Sequence, residues 1–203
     1  MFNRNIRSSF KAAKSATIAV LASAIFIATL TTANADVLFN QEFKFFEIKG
    51  KKWQQIFKDF QKKSPIKAKG LHDATLGVAA IKLTPEVEYQ IRGKRCHVKG
   101  ARVTADVIIH LPNWVNYNKA DQIDKLSWDK LFSDVKTHEL QHAAIAKDYA
   151  NRIQKKMKKQ RSHTSCDKVE AALKKSTSKL QNKHERAQLK FDKREYGRLL
   201  KRK

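Results

Sequence analysis

His138-Glu139-Leu140-Gln141-His142 constrains this chain more than any other stretch. HExxH works only on a helix. Residues four apart stack one turn above each other, so both imidazoles can reach one ion while the carboxylate between them points at its open coordination position. Leu131, Val135, His138, His142, Ile145, Tyr149 and Ile153 recur at intervals of three, four or seven, which is one stripe of an amphipathic helix. Ser127 is the candidate N-cap, and neither Gly nor Pro interrupts the run until well past Gln160. The spacing therefore predicts a helix over about 128–160 with both histidines on its apolar face. A neutral imidazole there needs partners for its nitrogens, and a zinc ion with acceptors behind the ligands supplies them. A pair of hydrogen-bonded core histidines would fit the same pattern without a metal.

The first 35 residues read as an export signal rather than as part of the fold. Arg4, Arg7, Lys11 and Lys14 form a positive start, Ala16 to Leu30 an apolar run, and Ala33-Asn34-Ala35 a small-x-small cleavage site before Asp36. That apolar run is shorter than the ~20 residues a membrane span requires, and no other segment approaches that length. Residues 36–203 then form a single domain, expected in the periplasm or outside the cell. In such an oxidising compartment Cys96 and Cys166, the only cysteines, are expected to pair. The bridge would close a loop of about 70 residues, which contributes roughly 4 kcal/mol on the chain-entropy model.

The formal net charge is +24, and residues 151–203 hold 19 Lys or Arg against 5 Asp or Glu. Such a balance draws a protein to anionic partners, among them phosphate-bearing envelope polymers. A solvated helical face would show the same composition. No aromatic stacking pattern, zinc-finger spacing or recognition-helix signature accompanies the lysines, so specific nucleic-acid recognition is not expected.

Along the exported chain the period changes from two to 3.6. Residues 37–48, with Phe39, Phe43, Phe45 and Phe46, read as one or two short strands ended by Gly50. Residues 52–62 read as an amphipathic helix stopped by Ser64-Pro65. Alternation on either side of Thr84-Pro85 predicts two strands, and Val98 with 103–111 a further β region ended by Pro112. Sheet first and helices after it argue α+β: a small antiparallel sheet followed by long helices, with HExxH on the central one, a zincin-like arrangement. In many zinc peptidases an edge strand beside the metal helix pairs with extended substrate, and residues 103–111 are the candidate for it. No GxGxxG after a strand, phosphate loop or GxSxG occurs.

Glu47-Ile48-Lys49-Gly50, Cys96-His97-Val98, Leu111-Pro112-Asn113-Trp114, Trp128, the HExxH and Cys166 together span most of the exported chain. In these features it resembles a bacterial secreted zinc-dependent protease family long catalogued only as a domain of unknown function. The resemblance implies a zinc protease of the cell envelope or the exterior. Members of that family end with an aromatic-Asp pair followed by Thr and a His-Gly pair. Phe191-Asp192 matches the first, but Glu195-Tyr196-Gly197 stands where the second would be.

A catalytic zinc normally has three protein ligands and a water. Asp148 lies on a continuing helix and projects away from His138 and His142. On the C-terminal helix, Leu173, Leu180, His184, Ala187 and Phe191 form the apolar stripe, which favours His184 as third ligand over its rivals Asp192 and Glu195. His72, His97, His110 and His163 read as surface or loop histidines, and of these His110, ending the candidate substrate strand, is the one that could contact an oxyanion or substrate. The expected chemistry is hydrolysis of protein or peptide substrate by a zinc-activated water, with Glu139 as general base. The alternatives are a non-catalytic zinc-containing envelope protein that binds anionic polymers, and a hydrolase of peptidoglycan cross-bridges.

Overall fold

The computed structural model describes residues 37–63 and 76–200, with side chains as far as 195 apart from a few in the first helix. The export signal, Ser64-Pro65 and His72 lie outside the described residues. The elements run β1 (Val37–Ile48), α1 (Trp53–Lys63), β2 (Val78–Arg92), β3 (Arg95–Trp114), a 3-10 turn (Tyr117–Lys119), α2 (Gln122–Lys158) and α3 (Cys166–Leu200). Among the described residues no helix is long and apolar enough to cross a membrane.

The class is α+β, but the sheet is mixed and not antiparallel. Its order is β1-β3-β2. β2 and β3 form an antiparallel hairpin, and its turn requires Gly93, at φ 59°, in a conformation that other residues avoid. β1 instead runs parallel to β3, with Val37 opposite Val103 and Ile48 opposite Trp114. Parallel neighbours need a long connection between them, and the intervening α1 and β2 supply it. Local alternation predicts strands but neither which of them pair nor in which direction.

Residues 103–111, expected at a sheet edge, lie on the central strand, with both sides paired. They cannot accept a substrate strand. The Val115 N–H donates to the Ile48 carbonyl, which fixes odd-numbered β3 residues as the ones whose backbone groups face β1. Their partners on β2 (Ala79, Ile81, Leu83 and Pro85) therefore turn N–H and C=O outward, along an edge that no other described strand covers. This explains why β2 runs unbroken through Pro85, where two strands were expected: the missing N–H falls where the ladder needs none.

The odd-numbered side chains of β3 also build the core. Val103, Ala105, Val107, Ile109 and Leu111 are fully or nearly fully buried against the helices. Val107, Ile109 and Leu111 pack with Val135, Ala143 and Ala146 of α2, while Ile153, Met157, Val169 and Leu173 close the cluster around Cys96. A third cluster joins Ile48, Ile56 and Phe60 to Trp114 and Trp128, and the Trp114 indole N–H donates to the Gly50 carbonyl. Cys96 and Cys166 form the expected disulfide, tying β3 to the start of α3.

α2 starts earlier than expected. Its N-cap is Asp121, whose carboxylate accepts the Asp124 N–H, and not Ser127. The added turns expose Ile123 and Leu126, so a search for a buried stripe passes over them. The most buried line of α2 is Val135, Glu139, Ala143, Ala146, Ala150, Ile153 and Met157. It is rotated from the expected histidine stripe, because three alanines let the helix lie close to the sheet. His138 and His142 consequently sit at the edge of the buried face, towards α3.

Candidate metal centre

α2 and α3 run antiparallel and meet through rungs of side chains. The Tyr149 ring lies 5.5 Å from that of His184, His142 meets Gln188, and His138 and His142 both meet Asp192. Phe191 packs against both histidines of the HExxH, its ring centroid 4.8 Å from His138 and 5.0 Å from His142.

His138, His142 and Asp192 are brought together as a group able to hold a metal ion. The two Nε2 atoms are 3.1 Å apart, and Asp192 Oδ1 is 3.2 Å from His138 Nε2 and 2.9 Å from His142 Nε2. Bonds of 2.0–2.2 Å to a tetrahedral ion set ligand atoms roughly 3.3–3.5 Å apart, so this triangle is within a few tenths of an ångström of the spacing a zinc ion imposes. Two ring nitrogens and a carboxylate oxygen facing one another also require a shared proton or a cation. The residues present thus fit the ion that the HExxH spacing predicts.

His184, the expected third ligand, is not brought into this group, whereas its rival Asp192 is. His184 is buried one turn before Gln188 on α3 and reaches the centre only through that residue. Two helical turns, about 12 Å, separate it from Asp192, so one ion cannot take both. Burial lowers the His184 pKa, helped by His142 and opposed by Glu185. Glu195 is not in the group, and its side chain lies 3.4 Å from Arg194 Nε. Asp148 pairs with Arg152, pointing away as expected. His110, the candidate oxyanion or substrate contact, is not brought to the centre either. On β3 it has the opposite parity from the residues that face α2, so its side chain leaves the sheet on the far face and cannot serve this centre.

Gln188 is the functional residue that sequence reasoning missed. Its amide nitrogen donates to the His142 carbonyl at 3.1 Å and lies 2.8 Å from His184 Nε2. With the nitrogen so committed, its oxygen accepts from His142 Nδ1 at 2.7 Å. In its neutral form His142 then carries its proton on Nδ1, which leaves Nε2, the nitrogen facing Asp192, as the one able to take a metal ion. The available signal was spacing: Gln188 lies midway between His184 and Asp192, four residues from each.

The charges follow from this packing. Asp192 stays ionised far below the ordinary carboxylate range: burial works against it, but hydrogen bonds from both histidines and their charge outweigh that. For His142 burial opposes protonation, yet its bonds to Asp192 and Gln188 raise its pKa. Glu139 is only 4% exposed. Burial raises its pKa despite the nearby charge of His142 and His138 and a hydrogen bond from the Ala79 N–H. That bond attaches the carboxylate to the open edge of β2. A carboxyl group held near two imidazoles with a raised pKa can both take and return a proton.

No curated protein and no solved structure matches the chain. A model described as a bacterial protein of unknown function, DUF922, matches residues 43–198, and the chain belongs to that family.

Proposed function

We propose that this chain is a zinc-dependent peptidase with a zincin-like site, exported from the cytoplasm and acting on extended polypeptide. The observation that carries the reading is the convergence of His138, His142 and Asp192 beside the buried Glu139. Two imidazoles and one carboxylate suit zinc better than calcium or magnesium. Among the described residues the group has three members, the number in catalytic zinc sites, whereas structural sites have four.

When bound, the ion would polarise the scissile carbonyl and bring a water towards ionisation near neutral pH. Glu139 takes the proton from the attacking water and returns it to the leaving amine, a role its raised pKa favours. Gln188 holds the His142 ring in the orientation and tautomer that ligation needs. The outward N–H and C=O groups of Ile81 and Leu83, with the Ala79 carbonyl, offer an extended peptide a ladder that begins beside the amide bonded to Glu139, with Pro85 ending the run of donors. The disulfide supports an oxidising compartment.

Elemental analysis for zinc and cleavage of an unfolded protein, measured on wild type, Glu139→Gln and Asp192→Ala, test the reading. Glu139→Gln should keep its zinc while losing roughly 10²–10⁴-fold in turnover. Asp192→Ala should lose zinc. Wild-type turnover in Glu139→Gln, or wild type that binds no zinc, would overturn the proposal.

A further inference from the structure

α3 carries a second organised feature that the metal centre does not use. Lys175, Lys179, Lys183, Arg186, Lys190 and Lys193 are all exposed. At about 100° per residue they fall within a sector about 80° wide, a single row that rises about 27 Å along the helix. The buried residues Val169, Leu173, His184 and Phe191 lie on an adjoining side, turned about 80–140° from the centre of the row. The described acidic residues of α3 (Asp167, Glu170, Glu185, Asp192 and Glu195) all fall on the side opposite the row, with Asp192 at the metal centre. Between Ala171 and His184 there is no acidic residue at all.

A helix that uses lysine only for solubility intersperses carboxylates to form i,i+4 pairs. Here the row places like charges beside each other at 175/179, 179/183 and 186/190, and again at 183/186 and 190/193. Such neighbours repel and weaken a helix. Among the described residues none of the six pairs with a carboxylate. The row persists against its own repulsion, which a bound chain of negative charge would relieve.

We propose that the outer face of α3 is a docking track for a linear phosphate polymer. A single straight row complements a chain of charges, whereas an anionic bilayer would be met by a broad basic face with apolar residues to insert. No aromatic residue lies in the sector to stack on bases. Because the row faces away from Asp192, the polymer would hold the protein in place without entering the metal centre.

The probe is long-chain inorganic polyphosphate, titrated against the exported chain over a range of salt. Six cations predict a log-log salt slope of about −4, taking single-stranded nucleic acid as the guide. Replacing Lys179, Lys183 and Lys190 by Gln should reduce the slope by about 2 and weaken binding roughly 50-fold at 0.15 M salt. A control with the same charge change at exposed Lys51, Lys52 and Lys94 should bind nearly as wild type. Equal losses in both triple variants would assign the binding to net charge alone and overturn the proposal. So would failure to bind polyphosphate, or a row-dependent attachment to vesicles containing anionic lipid with no binding to the polymer.

Discussion

Truncating Gln188 to alanine separates a preorganised metal centre from one the ion must assemble for itself. The change removes the acceptor 2.7 Å from His142 Nδ1 and the donor shared between the His142 carbonyl and His184 Nε2. Without the acceptor, His142 is free to carry its proton on Nε2, the nitrogen that faces Asp192 and the metal position. Loss of such a partner behind a ligand lowers metal affinity about 10–100-fold, equivalent to about 1.4–2.7 kcal/mol. The metal-free fold should lose a similar amount, about 1–3 kcal/mol, because two partly buried hydrogen bonds between α2 and α3 and one within α3 disappear. Gln188→Glu divides the two effects. Its carboxylate still accepts from Nδ1–H and should restore zinc affinity, but it cannot donate to the carbonyl or to His184, so stability stays low. Zinc competition against a chelator, with urea unfolding of the metal-free protein alongside, reads both quantities. Wild-type zinc affinity in Gln188→Ala would refute the positioning role, as would a Glu variant as weak as the Ala variant.

Replacing Cys96 and Cys166 together by Ser should lower the unfolding free energy by about 4.4 kcal/mol, the chain-entropy value for a loop of 70 residues, measured by denaturant titration. The metal-free protein should also lose stability as pH rises through the neutral range. The His142 pKa is raised on folding, so its contribution is complete below the unfolded value of about 6.5 and is lost as pH rises through the folded value. Urea midpoints between pH 5 and 9 in a chelating buffer should show that decline.

The parts legible in the sequence were those set by local periodicity. The helix of the HExxH, the strand regions and the helix after β1 all announce themselves through alternation or 3.6-residue spacing, and a sequence with two cysteines leaves little choice of partner. The direction of β1 and the order of strands depend on connections that carry no periodic signal. The third ligand failed for a related reason. Apolar periodicity selected His184 because it is buried, but which residue of α3 reaches His138 and His142 depends on the register of two antiparallel helices. With α2 ending at Lys158 and α3 starting at Cys166, the rungs Tyr149/His184 and His142/Gln188 place Asp192 opposite the metal histidines. The helix ends therefore held the information that burial did not.

The buried position of Glu139 is hard to justify by stability, since desolvation is the main influence on it and disfavours its charged form. The surrounding sequence is nevertheless shaped to put it there. Ala143, Ala146 and Ala150 bring α2 close to the sheet, and Gly77 removes the last obstacle. A Cβ at Gly77 would lie 2.7 Å from Val135 Cγ1, 3.1 Å from Glu139 Cγ and 3.2 Å from its carboxylate oxygen. Larger residues at these four positions would lift the helix or displace the carboxylate, separating Glu139 from the Ala79 amide that it accepts at the open strand edge. A fold that needed only a core could place an apolar side chain at 139 and bury more surface at less expense. Holding an ionisable group near two imidazoles and the outward amide of Ala79 is what the proposed peptidase requires, because a proton has to be taken and returned at that point.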